Sequence, residues 1–351
     1  MTDLRAPFPW FGGKARAAQI VWRALGDPSG YTEPFCGSAA VLLARPEFRG
    51  RRAETLNDAD GWLVNLWRAI QLDPETVARH AWGPVSEIDY HARLAWLQER
   101  RDDGLVSWLE GDPEAHDPKA AGWWLTVCAA GIGDPWGAGP WRVVDGRLVK
   151  TNEGRGVNRE LPHLGNAGRG VNRELPHLGD AGKGVNRELP HLGDAGKDGS
   201  IERLSAYLHA LSIRLQRVRI TCGDWQRVLT PSVVRTGTGG DSSRAIFLDP
   251  PYSTSSHLYA ESGHGISEQL REWCKTAETV GGQPLRIILC GYDDEHAELE
   301  PHGWNVIEGK SGSGAGYSKR SDNGRRERLW LSPACLTAGV QDRLDFGMGE
   351  P

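Results

Sequence analysis

Short apolar runs recur towards both ends of the chain, and stretches with apolar positions at helical spacing separate them. The runs at residues 53–56, 218–221, 245–248, 285–290, 304–307 and 328–331 predict strands. Tyr31-Thr32-Glu33 predicts another, closed by a Gly turn at Gly37 and a tightly packed helix. Longer helices are predicted over 15–25, 61–70, 201–216 and 267–278. Strand, turn, helix and strand, with an acid ending the second strand, is the layout of a doubly wound α/β nucleotide-binding half.

The middle of the chain breaks this alternation. From about residue 73 to 141 the spacing is helical and Trp-rich, with Trp82, Trp96, Trp108, Trp123, Trp124, Trp136 and Trp141. Three near-identical copies of a 14-residue unit follow, at 154–167, 168–181 and 182–195. Each unit holds three Gly and one Pro, which suits neither a long helix nor a long strand. The repeat reads as a tolerated loop expansion, since lengthening a loop costs little. A DNA-facing arm is the other reading, because Arg159, Arg173 and Arg187 recur in phase, although Glu160, Glu174 and Glu188 offset them.

Composition changes this picture little. In 351 residues, 39% are hydrophobic and 25% charged, which is ordinary globular usage. The net charge of −5 argues against a wholly basic nucleic-acid coat but leaves room for a local basic groove. The 15 Trp outnumber Phe and Tyr together, so many serve either the core or stacking surfaces. Six scattered cysteines form no CxxC pair, and neither a zinc knuckle nor a redox dithiol is expected. The first residues carry Asp3 and Arg5 with no apolar leader core, and no apolar stretch approaches a membrane span. A cytoplasmic protein with reduced thiols is expected.

The chemistry concentrates at strand ends. Asp249-Pro250-Pro251-Tyr252 follows the apolar run at 245–248, and two prolines must end that strand because proline lacks the ladder N–H. The strand thus delivers a carboxylate, rigid carbonyls and an aromatic ring to the edge where open α/β sheets bind ligands. Those groups suit an amine on a planar base; a plain Pro-Pro turn with a surface Tyr is the bland alternative. Asp58 ends its strand about 20 residues after the Gly turn, the spacing at which such folds hold ribose hydroxyls. Glu33, Asp58, Asp224 and Asp249 are all expected at one edge of one sheet.

Four elements in order carry a resemblance: Pro9-Trp10-Phe11-Gly12-Gly13-Lys14, Glu33-Pro34-Phe35-Cys36-Gly37-Ser38-Ala39, Asn57-Asp58 and Asp249-Pro250-Pro251-Tyr252. Over about residues 7–70 and 218–331 the chain resembles the Dam-type (class alpha) DNA adenine-N6 methyltransferases. The resemblance implies a Rossmann-like methyltransferase sheet, mostly parallel with an antiparallel terminal hairpin, plus a helical, loop-rich inserted target-recognition region. It divides the chain into residues 1–70 and 201–335 as the two parts of the catalytic domain, 71–200 as the insert and 336–351 as a disordered tail.

It also implies S-adenosyl-L-methionine as cofactor. Pro34, Phe35, Cys36, Gly37 and Ser38 would meet its methionine part, Asp58 its ribose, and Asp224 with Trp225 its adenine, with Glu33 also among the cofactor-binding residues. Trp10, Gly12, Gly13 and Lys14 would line the same pocket; a helix-start turn with a solvated lysine is the alternative there. Asp249, Pro250, Pro251 and Tyr252 would be catalytic, acting on an adenine flipped out of double-stranded DNA. No metal is implied.

Lys310, Lys319, Arg320, Arg325 and Arg326, in a Gly/Ser loop, are candidate DNA contacts or a solvated hairpin tip. The middle carries no counterpart of the family's recognition signatures, so the target sequence is unreadable. A monomer is expected, encoded by a bacterium or a phage, with a companion restriction nuclease as a candidate partner. Cytosine N4 or an RNA base is the nearest alternative acceptor, and a catalytically inactive DNA-binding relative the alternative of another class. A dinucleotide dehydrogenase would need G-x-G-x-x-G after the first strand, which is absent.

Overall fold

The structure is a computed structural model, and it describes residues 4–8, 10, 14–46, 52–83, 86–130, 141–144, 147–150, 201–234, 243–251, 265–277, 279–280, 283–308 and 326–336. The three repeats, the basic loop as far as Arg325 and the tail from residue 337 lie outside these residues, as do Gly12, Gly13 and Tyr252. In chain order the elements are α1 (Ala18–Leu25), β1 (Gly30–Glu33), α2 (Ala40–Leu43), β2 (Ala53–Asp58), α3 (Gly61–Leu72), α4 (Pro74–Ala81), α5 (Glu87–Asp102), α6 (Leu105–Gly111) and α7 (Pro118–Ala130). Then come β3 (Trp141–Val144), β4 (Arg147–Lys150), α8 (Ile201–Leu215), β5 (Val218–Cys222), α9 (Pro231–Val234), β6 (Arg244–Leu248), α10 (Ile266–Thr276), β7 (Thr279–Val280), β8 (Gln283–Tyr292), β9 (Asn305–Glu308) and β10 (Glu327–Leu331).

The described residues within 12–59 and 217–351 form one compact unit, built on a sheet of order β5-β2-β1-β6-β8-β10-β9. β5, β2, β1, β6 and β8 run parallel, while β10 is antiparallel to both β8 and β9. This is an α/β, mostly parallel, Rossmann-like sheet. Every residue of β1 and β6 is buried, as expected of parallel strands covered on both faces. One face packs Ile246, Leu248, Ile287, Leu289, Leu270, Trp225 and Trp330 into a continuous core. The parallel strands bring all their carboxyl ends to one edge. Because β10 runs the other way, its first residue, Glu327, reaches that edge too, in register with Tyr292 at the end of β8.

The described residues within 2–11 and 60–216 form the second unit, which is largely helical. Its boundaries draw in α3, which packs on α7, α8 and α4, and α8, which packs on α4 as well. Trp62, Trp67 and Trp124 are fully buried there, and Phe8 meets the Trp124 ring edge-on at 4.9 Å. α4 and α7 approach closely at Gly122, where a Cβ would come within 2.7 Å of the Val77 carbonyl oxygen. The Arg68 guanidinium, also buried, donates to the Leu109 and Asp112 carbonyls, each at 2.9 Å, and so pins the end of α6. β3 and β4 pair antiparallel, a hairpin where the spacing predicted no strand. Among the described residues, no helix is long and apolar enough to cross a membrane.

Candidate active site

The carboxyl edge is stitched together by Asn57, which is fully buried. Its amide donates to the Pro34 carbonyl at 3.0 Å and the Gly223 carbonyl at 2.9 Å, and its carbonyl accepts from the Thr221 hydroxyl. One side chain on β2 therefore fixes the loops leaving β1 and β5. The Cys36 N–H bonds the Asn57 carbonyl, and the Gly37 N–H donates to Asp58 Oδ2 at 2.9 Å. Gly37 (φ 45°) and Ala39 (φ 50°) are both left-handed. For Ala39 that conformation costs of order 1 kcal/mol or more, strain of the kind that gathers at ligand clamps. Asp224 is exposed and caps a short 3₁₀ turn through the Gln226 N–H, with Trp225 buried behind it between Phe35 and Trp273.

Glu33, at the end of β1, is 2% exposed. Burial pushes its carboxyl up to about 8, and the nearby Asp249 and Glu54 add to the rise. Bonds from the Tyr31 hydroxyl and the Leu42 N–H act against it without prevailing. Near neutrality this carboxyl holds its proton. A cationic group placed against it would draw the proton off.

Asp249 ends β6 and is half-buried. Lys14 Nζ lies 2.8 Å from Asp249 Oδ1 and 2.9 Å from Glu327 Oε1. Burial opposes the lysine's charge, yet Asp249 and Glu327 outweigh it and hold its pKa well above the ordinary value. The Cys290 thiol, on the neighbouring β8, is pushed up by burial and by Asp249, stays protonated and hydrogen-bonds the Asp249 side chain. Tyr292 completes this side of the edge. The Arg326 guanidinium sits 5.1 Å from the centre of its ring, and Arg326 Nε is 2.6 Å from Asp293 Oδ2.

The structure thus gathers Lys14, Glu33, Pro34, Phe35, Cys36, Gly37, Ser38, Asp58, Asp224, Trp225, Asp249, Pro250 and Pro251 in the sheet unit, with the four strand-end acids on adjacent parallel strands. Lys14, expected on the cofactor side, has its ammonium on Asp249. Trp10 belongs to the helical unit, edge-on to Phe8 at 5.9 Å. Tyr252, Gly12, Gly13, Lys310, Lys319, Arg320 and Arg325 lie outside the described residues. Cys290, Tyr292 and Glu327 are additions that the sequence reading did not include. Chemically, the edge offers clustered carboxylates, one of them fixed by a lysine, beside a strained glycine turn. That set accepts hydrogen bonds from amines and hydroxyls. No protein-family model and no curated protein matches the chain.

Proposed function

We propose that this chain is a site-specific DNA methyltransferase that places a methyl group from S-adenosyl-L-methionine on N6 of adenine. The observation that carries this reading is the row of acids Glu33, Asp58, Asp224 and Asp249 at the ends of four adjacent parallel strands, beside the Gly37 turn. The residues present fit the cofactor: the turn bears no side chain at Gly37, and Glu33 is a buried carboxyl suited to an ammonium. Bound there, the cofactor would supply an electrophilic methyl group.

The chain's own residues do the rest. An exocyclic amine is a poor nucleophile because its lone pair is delocalised into the ring. Asp249 accepts one of its N–H bonds and the Pro250 carbonyl the other, which draws the nitrogen towards tetrahedral geometry and frees the lone pair. Positioning and electrostatics then supply most of the rate. The base must leave the duplex to reach this edge, at a cost of about a few kcal/mol. The helical unit takes target recognition in this reading. Its half-buried Trp96 and Trp123, with Lys119 Nζ 4.7 and 4.4 Å from their ring centres, offer stacking planes and a cation together. Incubation with labelled S-adenosylmethionine and mixed-sequence DNA, followed by mapping of modified bases, tests the proposal. Label on adenine N6 is expected; label on cytosine N4 or on RNA alone would move the reading to those acceptors, and no transfer to any nucleic acid would overturn it.

A further inference from the structure

We propose that Glu327 is a positioning residue for the amine-gripping carboxylate: it shares Lys14 with Asp249 and offsets the lysine's charge, so that Asp249 is fixed yet the cluster stays anionic. The inference rests on the role given to Asp249 above.

Three arrangements of these groups can be compared. Asp249 with Lys14 alone would be well held but neutral overall, a poor partner for an amine that becomes cationic as it is methylated. Asp249 and Glu327 without Lys14 would be like charges beside Glu33, and one of them would take up a proton. One lysine between two carboxylates leaves a net charge of −1 and locks both side chains through bonds of 2.8 and 2.9 Å. The Cys290 thiol adds a donor to Asp249 without adding charge.

The groups facing Asp249 come from every neighbouring element. Among the described residues they are Lys14 ahead of α1, Glu33 on β1, Cys290 and Tyr292 on β8, and Glu327 on β10. Arg326, over the Tyr292 ring, is paired with Asp293. Burial keeps the Cys290 thiol and the Tyr292 hydroxyl neutral, and Glu33 is neutral below about 8. Among the described residues, Lys14 and Glu327 therefore set the charge that Asp249 meets. Glu327 can do this because β10 is antiparallel: a parallel strand would have carried its first residue to the far edge.

The test uses the full chain with Glu327→Gln, Glu327→Asp, Lys14→Gln and the double variant Lys14→Gln/Glu327→Gln. Two quantities are followed against pH: single-turnover methyl transfer, and the titration of the Asp249 carboxyl by ¹³C NMR, with its signal assigned through Asp249→Asn. Glu327→Gln is expected to slow transfer by about 10–100-fold, the effect of one charge a few ångströms from the reacting nitrogen in a half-buried site. It should move the Asp249 midpoint to lower pH, whereas Lys14→Gln should move it to higher pH. The double variant, which restores the charge of −1, should recover about 10-fold of the loss. Glu327→Asp keeps the charge and should stay within about threefold of the parent; Glu327→Ala, which removes it, carries the comparison with Lys14→Gln if Glu327→Gln does not fold. Midpoints that shift in the same direction or not at all, or a double variant slower than either single one, would overturn the proposal. If the parent methylates no nucleic acid, the functional reading fails, while the opposed titration shifts still decide the charge arrangement.

Discussion

Two buried cations sit at opposite edges of the same sheet, each between two acids, and they are built for different ends. At the amino edge, Arg45 Nη1 lies 2.9 Å from Glu54 Oε1 and Nη2 lies 3.2 Å from Asp27 Oδ1. The same Nη2 also donates to the Pro28 carbonyl, and the guanidinium lies over the Trp22 ring at 5.1 Å. The Arg45 side chain is 0% exposed and that of Glu54 2%. A planar fork matched to two carboxylates, a carbonyl and a ring holds the guanidinium and Glu54 in the interior, while the Asp27 side chain is 52% exposed. At the carboxyl edge, Lys14 is a point charge on a flexible stem, and its partners Asp249 and Glu327 keep 20% and 18% of their side-chain surface exposed. The first cluster ties the entry of β1 to β2. The second presents fixed carboxylates outward.

The sharpest way to break this contrast is to remove one charged group from each cluster. Asp249→Asn and Asp249→Ala are expected to lower methyl transfer by at least about 10³-fold, with cofactor affinity and unfolding midpoint close to those of the parent. Labelled transfer, calorimetry and thermal unfolding on the same preparation check this. An equal loss of cofactor binding would move Asp249 out of the amine-gripping role. The amino edge should answer in the opposite way. Arg45→Met takes the nearer cation from the buried Glu54, leaving Arg52 Nη1 at 3.6 Å, and should cost about 3 kcal/mol of stability in denaturant titration. Activity of its folded fraction at low temperature should be unchanged, and a specific rate loss would show that the two edges are not separable.

Much of the sheet was legible from local pattern, because buried parallel strands write themselves as short apolar runs. β6 and β8 fall where the runs at 245–248 and 285–290 place them. What local pattern could not show was pairing. Glu327 lay one residue outside the predicted strand at 328–331 and read as the end of a basic loop. Its importance comes from an antiparallel strand inserted beside β8, which is a long-range fact. Lys14 likewise needed the fold to bring it to Asp249, 235 positions away in the numbering. The β3–β4 hairpin was missed for a different reason. Asp145-Gly146 between two β-branched runs is a hairpin signal, but the Trp-rich helical stretch before it dominated the reading. The Trp residues themselves divide by neighbour, since Trp62, Trp67 and Trp124 fill the helical core while Trp96 and Trp123 stay half-exposed.

Glu33 offers a smaller and pH-dependent comparison. Its carboxyl is raised to about 8 from an ordinary 4.5, chiefly by burial. Between those two values the native state holds a proton that the unfolded chain has released. The associated stability is therefore fully present below about 4.5, falls as pH rises and levels off above about 8. Glu33→Gln should remove this slope, leaving the variant more stable than the parent by roughly 2–4 kcal/mol at pH 8.5 and little different at pH 4.5. Parallel denaturant titrations across that range measure it. A cationic cofactor group resting on Glu33 would bring the midpoint down, so saturating ligand should flatten the parent's slope as well. A flat parent curve without ligand would mean that Glu33 is ionised throughout.

The smallest effect is expected at Arg326, the one basic-loop candidate for a DNA contact among the described residues. Its guanidinium is already held by Asp293 and by the Tyr292 ring, and its side chain is 39% exposed. A free surface arginine on a phosphate would contribute up to about 0.9 to the salt slope of binding. Arg326, engaged as it is, should contribute less. Arg326→Ala is expected to weaken DNA binding by about two- to fivefold at every sequence, with a slope change below about 0.9. The alternative outcome is informative for the carboxyl edge. If binding holds but the rate at saturating DNA falls, Arg326 acts through the orientation of Tyr292 beside Glu327, and the open cluster extends one residue further than its ion pairs show.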